Sequence, residues 1–200
     1  MRILGGSARQ RFIKGPKTDS LIKPIQSRAK KSLFDSIRPK LTASHFLDLY
    51  AGTGSVGLEA ISRGATKAVF IERGRAAIKI LKQNISRLGF DSKSLLIEGD
   101  VLGSGMFIAK SKLEPGFCFD IVFSAPPYTE KERRVGILEM TNKTVELLVE
   151  SNMLAPGAWV VLQHHKKEAI TTWPECLRVR KDTFFGDNVL TYLEYKGTSK

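Results

Sequence analysis

From residue 45 onward, short apolar runs alternate with longer stretches in which apolar positions recur every three or four residues. Phe46–Tyr50, Ala68–Ile71, Ser94–Ile97, Asp120–Phe123 and Ala158–Leu162 predict five strands. Between them the spacing predicts a helix from about Ser55 to Arg63, stopped by Gly64, and one from about Arg75 to Leu88, stopped by Gly89. A third helix is predicted over 135–151. Leu177 to Tyr195 divides around Gly186-Asp187 into two β-rich runs, an antiparallel pair. Strands alternating with helices imply an α/β fold. Its sheet is mainly parallel and seven-stranded, with helices on both faces.

The first 44 residues read differently. Ile3-Leu4 and Phe12-Ile13 flank Gly5-Gly6 and predict a β-hairpin over 1–14. Residues 14–24 read as a loop. An amphipathic helix follows, with Ser27 as N-cap and Pro39 as its end. Ala29, Leu33, Phe34 and Ile37 are assigned to its buried face, and Arg28, Lys30, Lys31 and Arg38 to its outer face. The expected organisation is a hairpin-and-helix extension over 1–44 and a main unit over 45–197, with a frayed tail. No internal repeat and no low-complexity tract interrupts it.

Composition narrows the classes. Two hundred residues with 42% apolar content suit one medium-sized domain with a real core. No run of 18 apolar residues suggests a membrane span, and Met1 to Gly6 does not read as a secretory signal. Cys118 and Cys176 match no metal-ligand spacing, so no metal is expected, and both read as reduced thiols of a cytoplasmic protein. The net charge is +12, and residues 1–44 hold eleven Lys or Arg against Asp19 and Asp35. Nine of the twelve net charges therefore fall in the first 44 residues. A local positive field neutralises phosphates and releases their counterions, which points to a nucleic-acid partner.

The chemistry sits in two loops. Gly52, Gly54 and Gly57 form G-x-G-x-x-G directly after a strand and before a helix. Glycines there permit a tight turn and close backbone approach to a ligand. Asp48 precedes them, Glu72 ends the second strand, and Asp100 follows the third. Acids at those strand ends face the crevice where such sheets bind ligands, and Glu72 is placed to bind both hydroxyls of a ribose. A dinucleotide dehydrogenase shares the glycines but leaves Pro126-Pro127-Tyr128, after the fourth strand, without a task. In S-adenosylmethionine (SAM) methyltransferases acting on exocyclic base amines, that loop has one. An Asp or Asn side chain and a prolyl carbonyl accept the two amine protons and localise the lone pair, while the aromatic ring stacks on the extruded base.

Over its whole length the chain resembles the RsmD family of bacterial 16S rRNA guanine-N2 methyltransferases. The resemblance runs through Met1–Gly6, Arg28, Leu33-Phe34, Phe46–Ala60, Ser62–Ala65, Val69–Glu72, Phe119–Phe123, Pro126–Tyr128 and the Gly186-Asp187 hairpin. It implies a Rossmann-like SAM domain with an N-terminal hairpin, and methylation of one guanine N2 in 16S rRNA of the small ribosomal subunit. It assigns cofactor contacts to Asp48, Tyr50, Ala51, Gly52, Gly54, Glu72, Asp100 and Val101. It assigns the catalytic loop to Ala125, Pro126, Pro127 and Tyr128. Arg2, Arg9, Arg11, Lys23, Arg28, Lys31, Arg133 and Arg134 are the expected RNA contacts. Nothing in the sequence demands more than a monomer.

The chain departs from the family twice. Lys23-Pro24-Ile25 stands where Arg-Pro-Thr is usual, and Ala125 replaces the acid of Asp-Pro-Pro-Tyr. Losing a charged acceptor costs on the order of 1.5–3 kcal/mol, roughly 10- to 100-fold in rate, so a slowed enzyme is expected. Two rivals remain. One is a SAM- and RNA-binding assembly factor with impaired catalysis. The other is an adenine-N6 DNA methyltransferase, for which 200 residues leave little room for a target-recognition domain. His164-His165 and Lys131 are weaker candidates for phosphate contact.

Overall fold

The computed structural model describes residues 1–16, 25–127, 140–168 and 173–197. Five strands run parallel: β1 (His45–Leu49), β2 (Lys67–Glu72), β3 (Ser94–Glu98), β4 (Phe119–Ser124) and β5 (Leu154–His165). β6 (Leu177–Phe185) and β7 (Asn188–Tyr195) form the antiparallel pair. The order across the sheet is β3-β2-β1-β4-β5-β7-β6, so β7 lies between β5 and β6. The chain steps from β1 out to β3 and then returns to place β4 against the other side of β1. The C-terminal ends of β1 and β4 therefore flank the point where strand order reverses, the usual place for a ligand crevice in such sheets.

Helices cover both faces. α1 (Ser27–Leu41), α2 (Gly57–Ser62) and α3 (Arg75–Leu88) pack on one side, where Phe34, Leu58 and Leu81 meet Phe46, Phe70 and Phe123. α4 (Met106–Ser111) and α5 (Met140–Glu150) pack on the other, where Met106, Val145 and Leu148 meet Leu47, Ile71 and Val160. Successive strand residues alternate between the two cores, which is why the parallel strands read as nearly unbroken apolar runs. Phe34, Phe46, Phe70 and Phe119 are fully buried, and each contributes about 1.5–3 kcal/mol.

Several expectations shift. The hairpin over 1–14 is reduced to one bridge, Arg2 with Phe12, plus backbone bonds that join Ile3 to Arg11 and Met1 to Ile13. Ile3, Ala8 and Ile13 bury into the same core as α1 and α2. Ser27 is the first helical residue of α1 rather than its cap. Gln26 takes the cap position, with no side-chain hydrogen bond. Pro39 lies inside α1 instead of ending it. It sits in the last turn, where the ring forfeits a single bond and buried Leu41 holds the end down. β5 is longer than predicted because a bulge opposite Phe119 and Ile121 absorbs Pro156-Gly157, with Gly157 at φ +75°. α4 was not predicted. The helix expected over 135–151 is observed as α5, and 135–139 lie outside the described residues.

The largest correction is Lys30. Its type suggested the outer face, but it falls on the stripe of Leu33, Phe34, Ile37 and Leu41 and is 4% exposed. It faces Glu59 of α2, which is fully buried. Glu59 also accepts from the backbone N–H groups of Leu4 and Gly5 and from Arg63 Nε, at 2.7, 2.8 and 2.7 Å. One carboxylate thus ties the N-terminal segment, α1 and α2 together. Removing one member of such a buried pair costs about 3–5 kcal/mol, because the other charge is left uncompensated.

Candidate cofactor and catalytic site

The loop after β1 is a run of left-handed backbone: Tyr50, Gly52 and Gly54 have φ of +58°, +56° and +83°. At Gly54 and Gly57 the need for glycine is steric as well. A Cβ on Gly54 would stand 2.3 Å from Leu81 Cδ1, and one on Gly57 2.3 Å from Phe70 Cε1. The motif therefore lets helix α2 begin hard against the sheet. Ala51, within the loop, is buried.

Two of the three acids bond the glycine loop, and Asp100 is joined to Glu72's neighbour Arg73 instead. Asp48 Oδ2 accepts from Gly57 N at 2.8 Å. Burial pushes the Asp48 carboxyl up to about 8, opposed by that bond and aided by the negative charge of Glu72. Glu72 Oε2 accepts from Gly52 N at 2.7 Å, and Oε1 accepts from Arg73 N and Gly74 N at 2.9 and 2.6 Å. Asp100 Oδ1 accepts from Leu102 N at 3.1 Å, and Oδ2 pairs with Arg73 Nη1 at 2.6 Å. Val101 is buried beside it. Glu72 and Asp100 are half-buried, open enough to accept from a ligand. This acceptor set fits SAM, with the half-buried Glu72 suited to a ribose diol.

Two further side chains hold the loop, and reading by residue type missed both. Asn84 of α3 is fully buried, and its Nδ2 donates to Thr53 O at 2.9 Å. Lys30 Nζ donates to Ser55 Oγ at 3.3 Å. The signal was positional: each is a polar residue on the apolar stripe of its helix.

Tyr50 leaves the loop toward α5. Its hydroxyl donates to Thr144 Oγ1 at 2.7 Å, since that hydroxyl itself donates to Met140 O at 2.6 Å. Burial pushes the phenol up to about 12, so it remains a donor. Glu168 accepts from Thr141 N and Oγ1 at 2.9 and 2.8 Å and fastens the start of the same helix.

At the end of β4, Ala125 is half-buried against the α1–α3 core, Pro126 is buried and Pro127 is exposed. Ser124 is fully buried, and its Oγ has no hydrogen-bond partner among the described residues. Tyr128, Lys131, Arg133 and Arg134 lie outside the described residues, as does Lys23. Arg2 is exposed, with its guanidinium 4.3 Å from the centre of the Phe12 ring. Arg9 and Arg28 are exposed, and Lys31 pairs with Asp35 at 3.0 Å. Arg11 donates to Leu88 O at 3.1 Å and to Arg87 O, at the carbonyl end of α3. His164 is buried: its Nε2 lies 2.9 Å from Thr191 Oγ1, which donates to Asp182 at 2.6 Å. That bonding accounts for it without phosphate.

A seven-stranded sheet of this order, with a glycine loop after β1 and a Pro-Pro loop after β4, defines the class of Rossmann-like methyltransferases. A structure titled "Putative methyltransferase yhhF from Escherichia coli" superposes with a TM-score of 0.79 at 25% identity, covering 99% of both chains. The family described as "Conserved hypothetical protein 95" matches residues 1–194, and the chain belongs to it, the RsmD family of the sequence resemblance. The ribosomal RNA small subunit methyltransferase D of Haemophilus influenzae is 29% identical over 98% of this chain and 93% of its own. The protein of that name from Escherichia coli K12 is 31% identical over 87% and 79%.

Proposed function

We propose that this chain is a SAM-dependent rRNA methyltransferase that modifies the exocyclic N2 of one guanine in 16S rRNA of the small subunit. The observation that carries this reading is the juxtaposition at the switch point. The acid-lined glycine loop of β1 and the Pro126-Pro127 loop of β4 end on neighbouring strands. When bound, SAM supplies an electrophilic methyl group on its sulfonium. Glu72 and Asp100 hold the nucleoside part, with Asp48, Tyr50, Ala51, Gly52, Gly54 and Val101 shaping the loop around it.

The target amine needs its two protons accepted so that its lone pair is free to attack. Backbone carbonyls of the 125–127 stretch supply acceptors, and Pro126 and Pro127 stiffen them. Ala125 contributes no side-chain acceptor, so turnover is slow. Tyr128 stacks on the base. Arg2, Arg9, Arg28 and Lys31, with Arg11, Lys23, Arg133 and Arg134, grip RNA phosphates. The extension 1–44 serves as the docking surface of a protein that works as a cytoplasmic monomer. Among the described residues no helix is long and apolar enough to cross a membrane.

The test is transfer of labelled methyl from SAM to small subunits lacking the modification, followed by mapping of the labelled base. Label on one guanine N2 is the expected result. Label on adenine N6 of duplex DNA would overturn the reading. SAM binding and subunit binding without transfer, even in Ala125→Asp, would make the chain an assembly factor.

A further inference from the structure

Two buried residues each bond to the N-terminal segment and to the cofactor loop at once. Lys30 Nζ donates to Arg2 O at 3.1 Å and to Ser55 Oγ at 3.3 Å, while pairing with Glu59 at 3.3 Å. Asn84 accepts from Lys14 N at 2.8 Å, and its Nδ2 is shared between Lys14 O at 3.0 Å and Thr53 O at 2.9 Å. Arg2 and Lys14 are the two ends of the hairpin-like segment, and Thr53 and Ser55 lie inside the glycine loop. Each end of the segment is thus joined to the loop by one side chain. An ammonium has three donors and Lys30 spends all three. If the segment lets go, Lys30 and Asn84 are left with buried unpaired polar atoms and must reorient, which frees the loop.

We infer that Lys30 and Asn84 are positioning residues that make the shape of the cofactor loop, and hence SAM affinity, depend on the N-terminal segment. The inference rests on the SAM reading above. It adds a linkage: whatever stabilises the segment, such as RNA bound to its arginines, also favours cofactor, and the reverse holds equally.

SAM dissociation constants by calorimetry, with thermal unfolding alongside, test this on the full chain without RNA. Lys30→Met and Asn84→Ala should each weaken SAM about three- to tenfold, the usual effect of losing one or two hydrogen bonds. Turnover at saturating SAM should change much less. Lys30→Arg, which keeps a donor, should recover most of the loss. Leu177→Ala is the control. It opens a cavity in the other core, at edge strand β6, and touches neither the segment nor the loop through any bond, so it should lower the melting temperature and leave SAM affinity within twofold. Ile13→Ala loosens the segment without deleting any hydrogen bond to the loop and should weaken SAM as well. Ser55→Ala deletes only the hydroxyl that Lys30 contacts, and keeps the test decisive if Lys30→Met fails to fold. It should weaken SAM about twofold or more. Wild-type affinity in folded Asn84→Ala and Ser55→Ala overturns the positioning role, and wild-type affinity in Ile13→Ala overturns the dependence on the segment. Equal weakening in Leu177→Ala would reduce the effect to general destabilisation and also overturn it. A native chain that binds no SAM at all sinks the functional reading and this inference together.

Discussion

β1 and β4 are adjacent parallel strands, and their ends face the same crevice in different states of completion. Beyond β1 and β2, Asp48, Glu72, Asn84 and Lys30 each hold a loop atom, and Glu72 alone accepts three backbone N–H groups. Beyond β4, Ser124 carries a buried hydroxyl with no partner among the described residues, and Ala125 carries no polar side-chain atom. The cofactor half is organised before anything binds. The target half lacks a side-chain acceptor at its first loop position. On the proposed reading binding and chemistry are therefore separable here, with Ala125 bearing on turnover and the β1 loop on cofactor.

The sharpest way to break that contrast is Glu72→Ala. It strands three backbone donors and removes the diol acceptor, so SAM affinity measured by calorimetry should fall by about 100-fold or more, at ~1.5–3 kcal/mol for each charged hydrogen bond. A loss below tenfold would mean that the β2 end does not hold cofactor. Next in size is Ala125→Asp, which restores the missing acceptor. Turnover in a labelled-methyl assay should rise at least about tenfold with SAM affinity unchanged. No gain would show that the backbone carbonyls already suffice.

A pH experiment comes third. The Asp48 carboxyl sits at about 8 in the folded chain, against 3.8 ordinarily. The folded state thus keeps a proton that the unfolded chain releases near pH 4. The stability this gives is complete below that pH and is lost as pH rises through about 8. Asp48→Asn keeps an acceptor for Gly57 N and cannot ionise. Its melting temperature should gain on the native protein between pH 4 and 8, by about 2–4 °C for each kcal/mol. A constant difference across that range would place the Asp48 carboxyl in the normal range. The smallest effect is expected from Ser124→Ala. Deleting a buried unpaired hydroxyl should be neutral or stabilising by up to about 1 kcal/mol in denaturant unfolding. A clear destabilisation would reveal a partner and bring the two strand ends closer in kind.

The sheet and the three acids were legible because they depend on local signals: apolar runs, a glycine motif, and carboxylates at predicted strand ends. α3 was bounded correctly because Gly89, at φ +71°, is a chemical stop signal. Pro39 misled because in the last turn of a helix a proline forfeits only a single bond, which the buried Leu41 offsets. Lys30 and Asn84 were hidden for a related reason. Their roles are set by partners 25 and 31 residues away, Ser55 and Thr53, and residue type alone assigns a lysine to solvent. Each sits at an i+3 or i+4 position on the apolar stripe of its helix, where spacing rather than residue type marks burial. The bulge that lengthens β5 came from pairing with β4, which no single segment encodes.

The position of β7 bears on how the chain is made. Residues 188–195 emerge from the ribosome after all the others in the sheet, yet they fill the gap between β5 and β6. Until they arrive, β5 presents a long apolar edge with no neighbour, the kind of surface that chaperones shield and that aggregates when left bare. Parallel strands β1 to β5 can assemble during synthesis, but the sheet is sealed from outside inward only after its last strand is free to slot in. A nascent chain stalled before Asn188 should therefore remain protease-sensitive even with its cofactor half already formed.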